Sequence, residues 1–109
     1  MTGNYSGTET LYFKIMPRRT NLAVKVGMHK VVLKWKRINE ATGYCIYRKA
    51  GFNGKYKKIK TINKGNVVRY QNSKLRVNKK YFYKVRTFTT VGGHRIYGRF
   101  SNVKVVRTR

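Results

Sequence analysis

The chain has 109 residues, 40% of them hydrophobic and 14% aromatic, which suits one folded domain with its own core and excludes a disordered chain. Its single cysteine excludes an internal disulfide and leaves the redox compartment open, and no apolar run reaches the length of a membrane span. Lysine and arginine number 27 against 2 acidic residues, a formal charge of +25; mixed signs would serve solubility, so this excess points to a polyanionic partner or to a charge imposed on purpose.

In chain order, residues 1–20 read as an N-terminal leader or arm. Met1 to Thr8 is polar and rich in glycine, with no basic-then-apolar signal peptide. Leu11 to Met16 is a short apolar run ending at Pro17, read as an added strand or as an arm that docks on a neighbouring subunit. Residues 21–109 form the domain, and from Asn21 short strands alternate with turn signals. Leu22 to Val26 is the first strand. Val31 to Lys36 is the second, with Val31, Leu33 and Trp35 inward. Tyr44 to Arg48 is the third, with Tyr44 and Ile46 inward.

After the turn at Phe52-Asn53-Gly54, Lys55 to Ile62 reads as a lysine-guarded edge strand. Its apolar residues Tyr56, Ile59 and Ile62 are three apart, which predicts a bulge or a twist. Asn66 to Gln71 is a further strand, Lys79 to Thr90 the central one and Arg95 to Arg107 the last. No stretch has amphipathic helical spacing. Seven strands at this spacing predict an all-β, antiparallel, immunoglobulin-like sandwich.

Five fragments in order carry a family resemblance: Val31-x-Leu33-x-Trp35; Gly43-Tyr44-x-Ile46-Tyr47-Arg48; Leu75 six residues before Tyr81; Tyr81-x-Tyr83-x-Val85; and Tyr97-Gly98-x-x-Ser101. Together they resemble a fibronectin type III domain over about Asn21 to Arg109, and Tyr44-x-Ile46-Tyr47-Arg48-Lys49 with Gly54-Lys55-Tyr56 looks most like the bacterial cell-surface and phage versions. The resemblance implies a seven-stranded sandwich of three strands on four, with Trp35 buried on the second strand. It also implies a tyrosine corner, in which Leu75 packs nearby and the Tyr81 hydroxyl bonds local backbone. The chain departs from the family at Asn72, where an acidic residue is common.

Catalysis has little to draw on. The carboxylates are Glu9, in the leader, and Glu40, in a loop, so paired-carboxylate chemistry is not expected. His29 and His94 fall at turns and Cys45 on a strand, without metal-ligand spacing or a third group to orient a base. No glycine-rich loop leads into a helix to hold phosphate. The expectation is a non-enzyme without cofactor or metal.

The better lead is the second face of the central strand, where Phe82, Lys84, Arg86 and Phe88 mix rings with cations. If Gly92-Gly93 is a two-residue hairpin turn, Val91 faces His94, Phe88 faces Tyr97 and Arg86 faces Arg99. Paired arginines repel, and an anion between them would reverse that sign. The family's sheet order adds Tyr47 and Lys49. The candidate polyanion site is therefore Tyr47, Lys49, Lys84, Arg86, Phe88, Arg95, Tyr97 and Arg99; the competing reading is a solvated face whose cationic stems cover the rings. Lys55, Lys57, Lys58, Lys60 and Lys64 form a second basic cluster, read as edge protection.

Three function classes stay open. One is a structural or adhesive module contacting polyanions, a subunit or decoration of a virion or cell surface. Another is a nucleic-acid binder using the mixed face. The third is a charge-engineered cationic scaffold. The partners considered are nucleic acid, anionic glycan or cell-wall polymer, acidic lipid, an acidic protein surface and neighbouring subunits.

Overall fold

The computed structural model describes residues 16–109. The polar leader, Glu9 and all of the apolar run before Met16 lie outside the described residues. The strands are β1 (Leu22–Gly27), β2 (Lys30–Trp35), β3 (Gly43–Ala50), β4 (Lys57–Ile62), β5 (Arg69–Asn72), β6 (Lys80–Val91), β7 (His94–Phe100) and β8 (Lys104–Arg107). One sheet has the order β1-β2-β5. The other runs β4-β3-β6-β7, and β8 pairs with the first half of β6. Every pairing is antiparallel.

Period-two alternation places the core between the sheets. Val31, Leu33 and Trp35 of β2 meet Tyr44 and Ile46 of β3 and Tyr81, Tyr83 and Val85 of β6, all buried. Fully burying side chains of this size contributes roughly 1.5–3 kcal/mol each. Trp35 and Tyr44 pack with ring centroids 5.4 Å apart. The tyrosine corner is present: the Arg76 amide donates to the Tyr81 hydroxyl at 3.2 Å, with Leu75 buried beside it. The β4 bulge is also present, since Ile46 pairs with Lys60 while Tyr47 pairs with Lys58, leaving Ile59 between them.

The last strand departs from expectation, for it divides into β7 and β8. Ser101 and Asn102 cause the break. The Ser101 amide donates to the Val85 carbonyl, and its hydroxyl accepts from the Val85 amide at 2.9 Å. Asn102 then turns to the other sheet, accepting from the Leu22 amide at 2.8 Å and donating to the Leu22 carbonyl at 3.0 Å. Its side chain satisfies the edge of β1 where a strand would otherwise do so.

Residues 16–20 pack on the sandwich. Pro17 and Thr20 are buried, and the Thr87 hydroxyl donates to the Arg18 carbonyl. Gly98 is required there: a Cβ would fall 2.5 Å from the Pro17 carbonyl oxygen and 2.7 Å from the Thr87 hydroxyl.

Candidate polyanion interface

Pairing of β3 with β6 sets Lys49 opposite Phe82, Tyr47 opposite Lys84 and Cys45 opposite Arg86. Directly opposed residues leave an antiparallel sheet on the same side, and these leave on the outer side, away from Tyr44, Ile46 and Val85. The aromatic and β-branched residues that make β6 a good strand thus share one surface with its cations.

On that surface rings and cations interleave. Lys84 Nζ stands 3.8 Å from the centroid of Phe100 and 4.1 Å from that of Tyr56. The Arg86 guanidinium lies 4.6 Å from both Phe100 and Tyr97, and Tyr47 meets Phe100 edge-on at 5.0 Å. In the other direction Lys49 Nζ sits 4.3 Å from Phe82 and 5.2 Å from Tyr56. Phe82 in turn contacts Phe52, over which Lys80 Nζ lies at 4.6 Å. Each such contact is worth about 0.5–1 kcal/mol when exposed and ~2 kcal/mol when dry. The ladder therefore favours these positions for its cationic heads.

The hairpin end follows the expected register only in part. Gly92 and Gly93 both have positive φ (57° and 81°), as a type I′ turn demands, with Val91 opposite His94 and Phe88 opposite Tyr97. Beyond that pair the register slips. Arg86 faces Phe100, not Arg99, because β7 carries an extra residue there. The bulge turns Phe100 outward and lets the Gly98 carbonyl accept from Arg86 Nε at 3.2 Å. Arg99 leaves the face and lines a shallow depression with Met16, Pro17, Arg18 and Arg19. The opposed arginine pair does not exist.

Phe88 is a second correction. It lies on the outer side but is only 1% exposed, held between Tyr97 and the Arg95 guanidinium, 4.6 Å from its ring. Its far edge fills the space that Gly43 leaves by lacking a side chain. Of the eight expected residues the structure brings together Tyr47, Lys49, Lys84, Arg86 and Tyr97, sets Arg95 over a buried Phe88 at one end, and separates Arg99. The candidate set lacked Phe52, Tyr56, Phe100 and Lys80, and it left out Phe82 although the alternation had placed that ring on the mixed face. Phe82 had the right parity on the central strand, whereas Phe100 reaches the face only through the bulge.

The electrostatics follow from crowding. Partial desolvation, then the charges of Arg86 and Lys49, push the Lys84 pKa below the ordinary lysine value. Desolvation also pushes Tyr56 upward. The only ion pair among the described residues is elsewhere: Arg18 Nε donates to Glu40 at 2.9 Å, and this hydrogen bond holds the carboxyl down at about 2. Among the described residues the ladder's cations therefore face one another without a carboxylate.

Behind the face, Arg48 points inward. It donates to Asn72 Oδ1 at 3.1 Å, and the Tyr83 hydroxyl donates to the same oxygen at 2.7 Å. A neutral amide at position 72 thus satisfies a buried hydroxyl and a half-buried cation. Burial drives the Tyr83 pKa upward, though Arg48 opposes it. Cys45 is buried, its sulfur 3.9 Å from the Thr61 hydroxyl, and no group of three His, Cys, Asp or Glu gathers among the described residues.

No family model and no curated protein matches this sequence. Solved structures do match in fold. A fibronectin type III domain from the human KIAA0970 protein aligns over 93% of this chain and 80% of its own, with a TM-score of 0.67 at 20% identity. The FN5 domain of Drosophila Lar aligns over 85% of this chain and 97% of its own, with a TM-score of 0.63 at 18% identity. The twitchin kinase region from C. elegans aligns over 85% of this chain, with a TM-score of 0.67 at 15% identity, but the chain spans only 17% of that region's length. With its two antiparallel sheets, buried tryptophan and tyrosine corner, the chain has the fibronectin type III fold.

Proposed function

We propose that this is a non-catalytic structural or adhesive binding module that takes hold of anionic polymers through the outer face of its five-stranded sheet, as a subunit or decoration of a larger assembly such as a virion or cell surface. The observation that carries the reading is the arrangement of Lys49, Lys84 and Arg86, held on rings and mutually repelling with no carboxylate of the described residues among them. A solvated basic face would keep its heads apart in water; this one holds them together at an electrostatic cost that a bound anion would relieve. The rings act as support. Lys84 and Arg86 already cover Tyr56, Phe100 and Tyr97, and Phe88 is buried, so the ring left open for a base to stack on is Phe52, 69% exposed at one end of the ladder. The polymer is then gripped by its sulfate, phosphate or carboxylate groups, and the stacking mode of a single-strand binder is the weaker reading.

Titration with heparin, duplex DNA and single-stranded DNA over a range of salt tests this. Affinity should fall steeply with salt for every polymer. Lys84→Gln with Arg86→Gln should weaken it and flatten the slope by roughly 0.7–0.9 per cation removed. An equal effect from Lys58→Gln with Lys60→Gln, on the exposed edge of β4, would overturn the localisation. A salt-independent preference for single strands would favour the stacking mode.

A further inference from the structure

The outer face of the three-stranded sheet carries charge by other means. Strand pairing places Ala23 opposite Lys34, Lys25 opposite Val32 and Arg69 beside Lys34. These residues enclose a depression of about 420 Å³, with Ala23 and Val32 as its floor and Lys25, Lys30, Lys34 and Arg69 around it. Gly27 shapes one end: the Lys30 stem lies across it, and a Cβ there would fall 2.7 Å from Lys30 Cε. Among the described residues no carboxylate lines this groove, and their only ion pair lies elsewhere.

Four cations around a small apolar floor fit an anionic chain. Its charged groups meet the heads, and its backbone rests where no bulky side chain stands. The groove is also independent of the ladder. Packed sheets lie about 10 Å apart, and side chains project outward from each, so the faces are separated by more than the Debye length of about 8 Å at physiological ionic strength. An anion on one face does not satisfy the other.

We propose that the groove of the three-stranded sheet is a second anion site, and that the domain uses its two opposed basic faces to bridge two lengths of polyanion. This rests on the polyanion reading of the ladder face. The occupant of the groove is a second segment of anionic polymer, not a strand of another protein, because its rim offers charge of a single sign.

The test mixes donor-labelled and acceptor-labelled heparin oligosaccharides, each too short to reach around the domain, with the full chain at low salt. Wild type should bring the labels together and give energy transfer. Lys25→Gln with Lys34→Gln and Arg69→Gln, all at exposed positions, should still bind an oligosaccharide but lose the transfer. Binding by wild type without transfer, or transfer that persists in the groove variant, would overturn the bridging proposal and leave the ladder reading intact. Absence of any binding by wild type would overturn both.

Discussion

The two outer faces of this sandwich carry the same sign of charge on opposite kinds of surface. On the five-stranded sheet the cations are braced by rings: Lys84 between Tyr56 and Phe100, Arg86 against Phe100 and Tyr97. On the three-stranded sheet Lys25, Lys34 and Arg69 rise from small or β-branched neighbours and are exposed. Net charge alone would treat the faces as equal. The difference shows that support is a separate property: rings contact the cations of the ladder and lower their solvation, whereas the cations of the groove stand exposed beside a small-residue floor.

The comparison breaks most visibly at the level of stability. Phe88→Ala removes a ring buried as deeply as the core and should cost about 3–5 kcal/mol by denaturant unfolding, although it belongs to an outer face. Val32→Ala, a smaller deletion at a half-buried position on the other sheet's outer face, should cost less than about 1.5 kcal/mol at ~0.8 kcal/mol for each fully buried carbon removed. Similar losses at both positions would mean that the faces are equally supported.

Next in size is Phe100→Leu, which keeps apolar bulk but removes the ring shared by Lys84 and Arg86. It should cost about 1 kcal/mol and release both heads from their favoured positions. An unchanged unfolding midpoint would show that the interleaving contributes nothing.

A pH effect sharpens the contrast further. The folded Lys84 pKa lies below its unfolded value, so in the window between the two the unfolded chain binds more protons. Stability contributed by this site should therefore rise as the pH climbs through the lowered pKa toward 10.5. Arg86→Gln, by removing one repelling neighbour, should narrow that window; an identical pH profile in the variant would contradict the repulsion argument. The smallest effect belongs to Glu40→Gln. Its carboxyl is held at about 2 in the fold against 4.5 unfolded, so the Arg18 pair stabilises above 4.5 and is lost as the pH falls toward 2. Both partners are solvent-exposed, so at neutral pH the variant should differ little from wild type in its unfolding curve.

Much of the fold was legible because it depends on parity and turn chemistry. Alternation from Tyr81 to Phe88 separated inner from outer residues, Leu75 and Tyr81 marked the corner, and Gly92-Gly93 set the hairpin turn. The three-residue spacing of Ile59 and Ile62 announced the β4 bulge. The β7 bulge had no such mark. An extra residue at Gly98-Arg99 changes no composition, yet it reverses the direction of everything after Tyr97, turning Phe100 outward and Arg99 aside. The burial of Phe88 was hidden for a related reason, since it depends on Gly43 in another strand lacking a side chain. The groove on the three-stranded sheet also left no local trace, because Lys30 lies over Gly27 only once the β1–β2 hairpin has formed.

The central claim is that anions settle among the braced cations of the five-stranded sheet. The most direct measurement is NMR of the lysine side-chain ammonium groups during titration with heparin at low salt, with pKa values read before and after saturation. The account predicts that Lys84 and Lys49 shift most and that the Lys84 pKa rises toward the ordinary lysine value as an anion offsets Arg86. Uniform small shifts, with Lys58 and Lys60 moving as far as Lys84 and the Lys84 pKa unchanged, would contradict it.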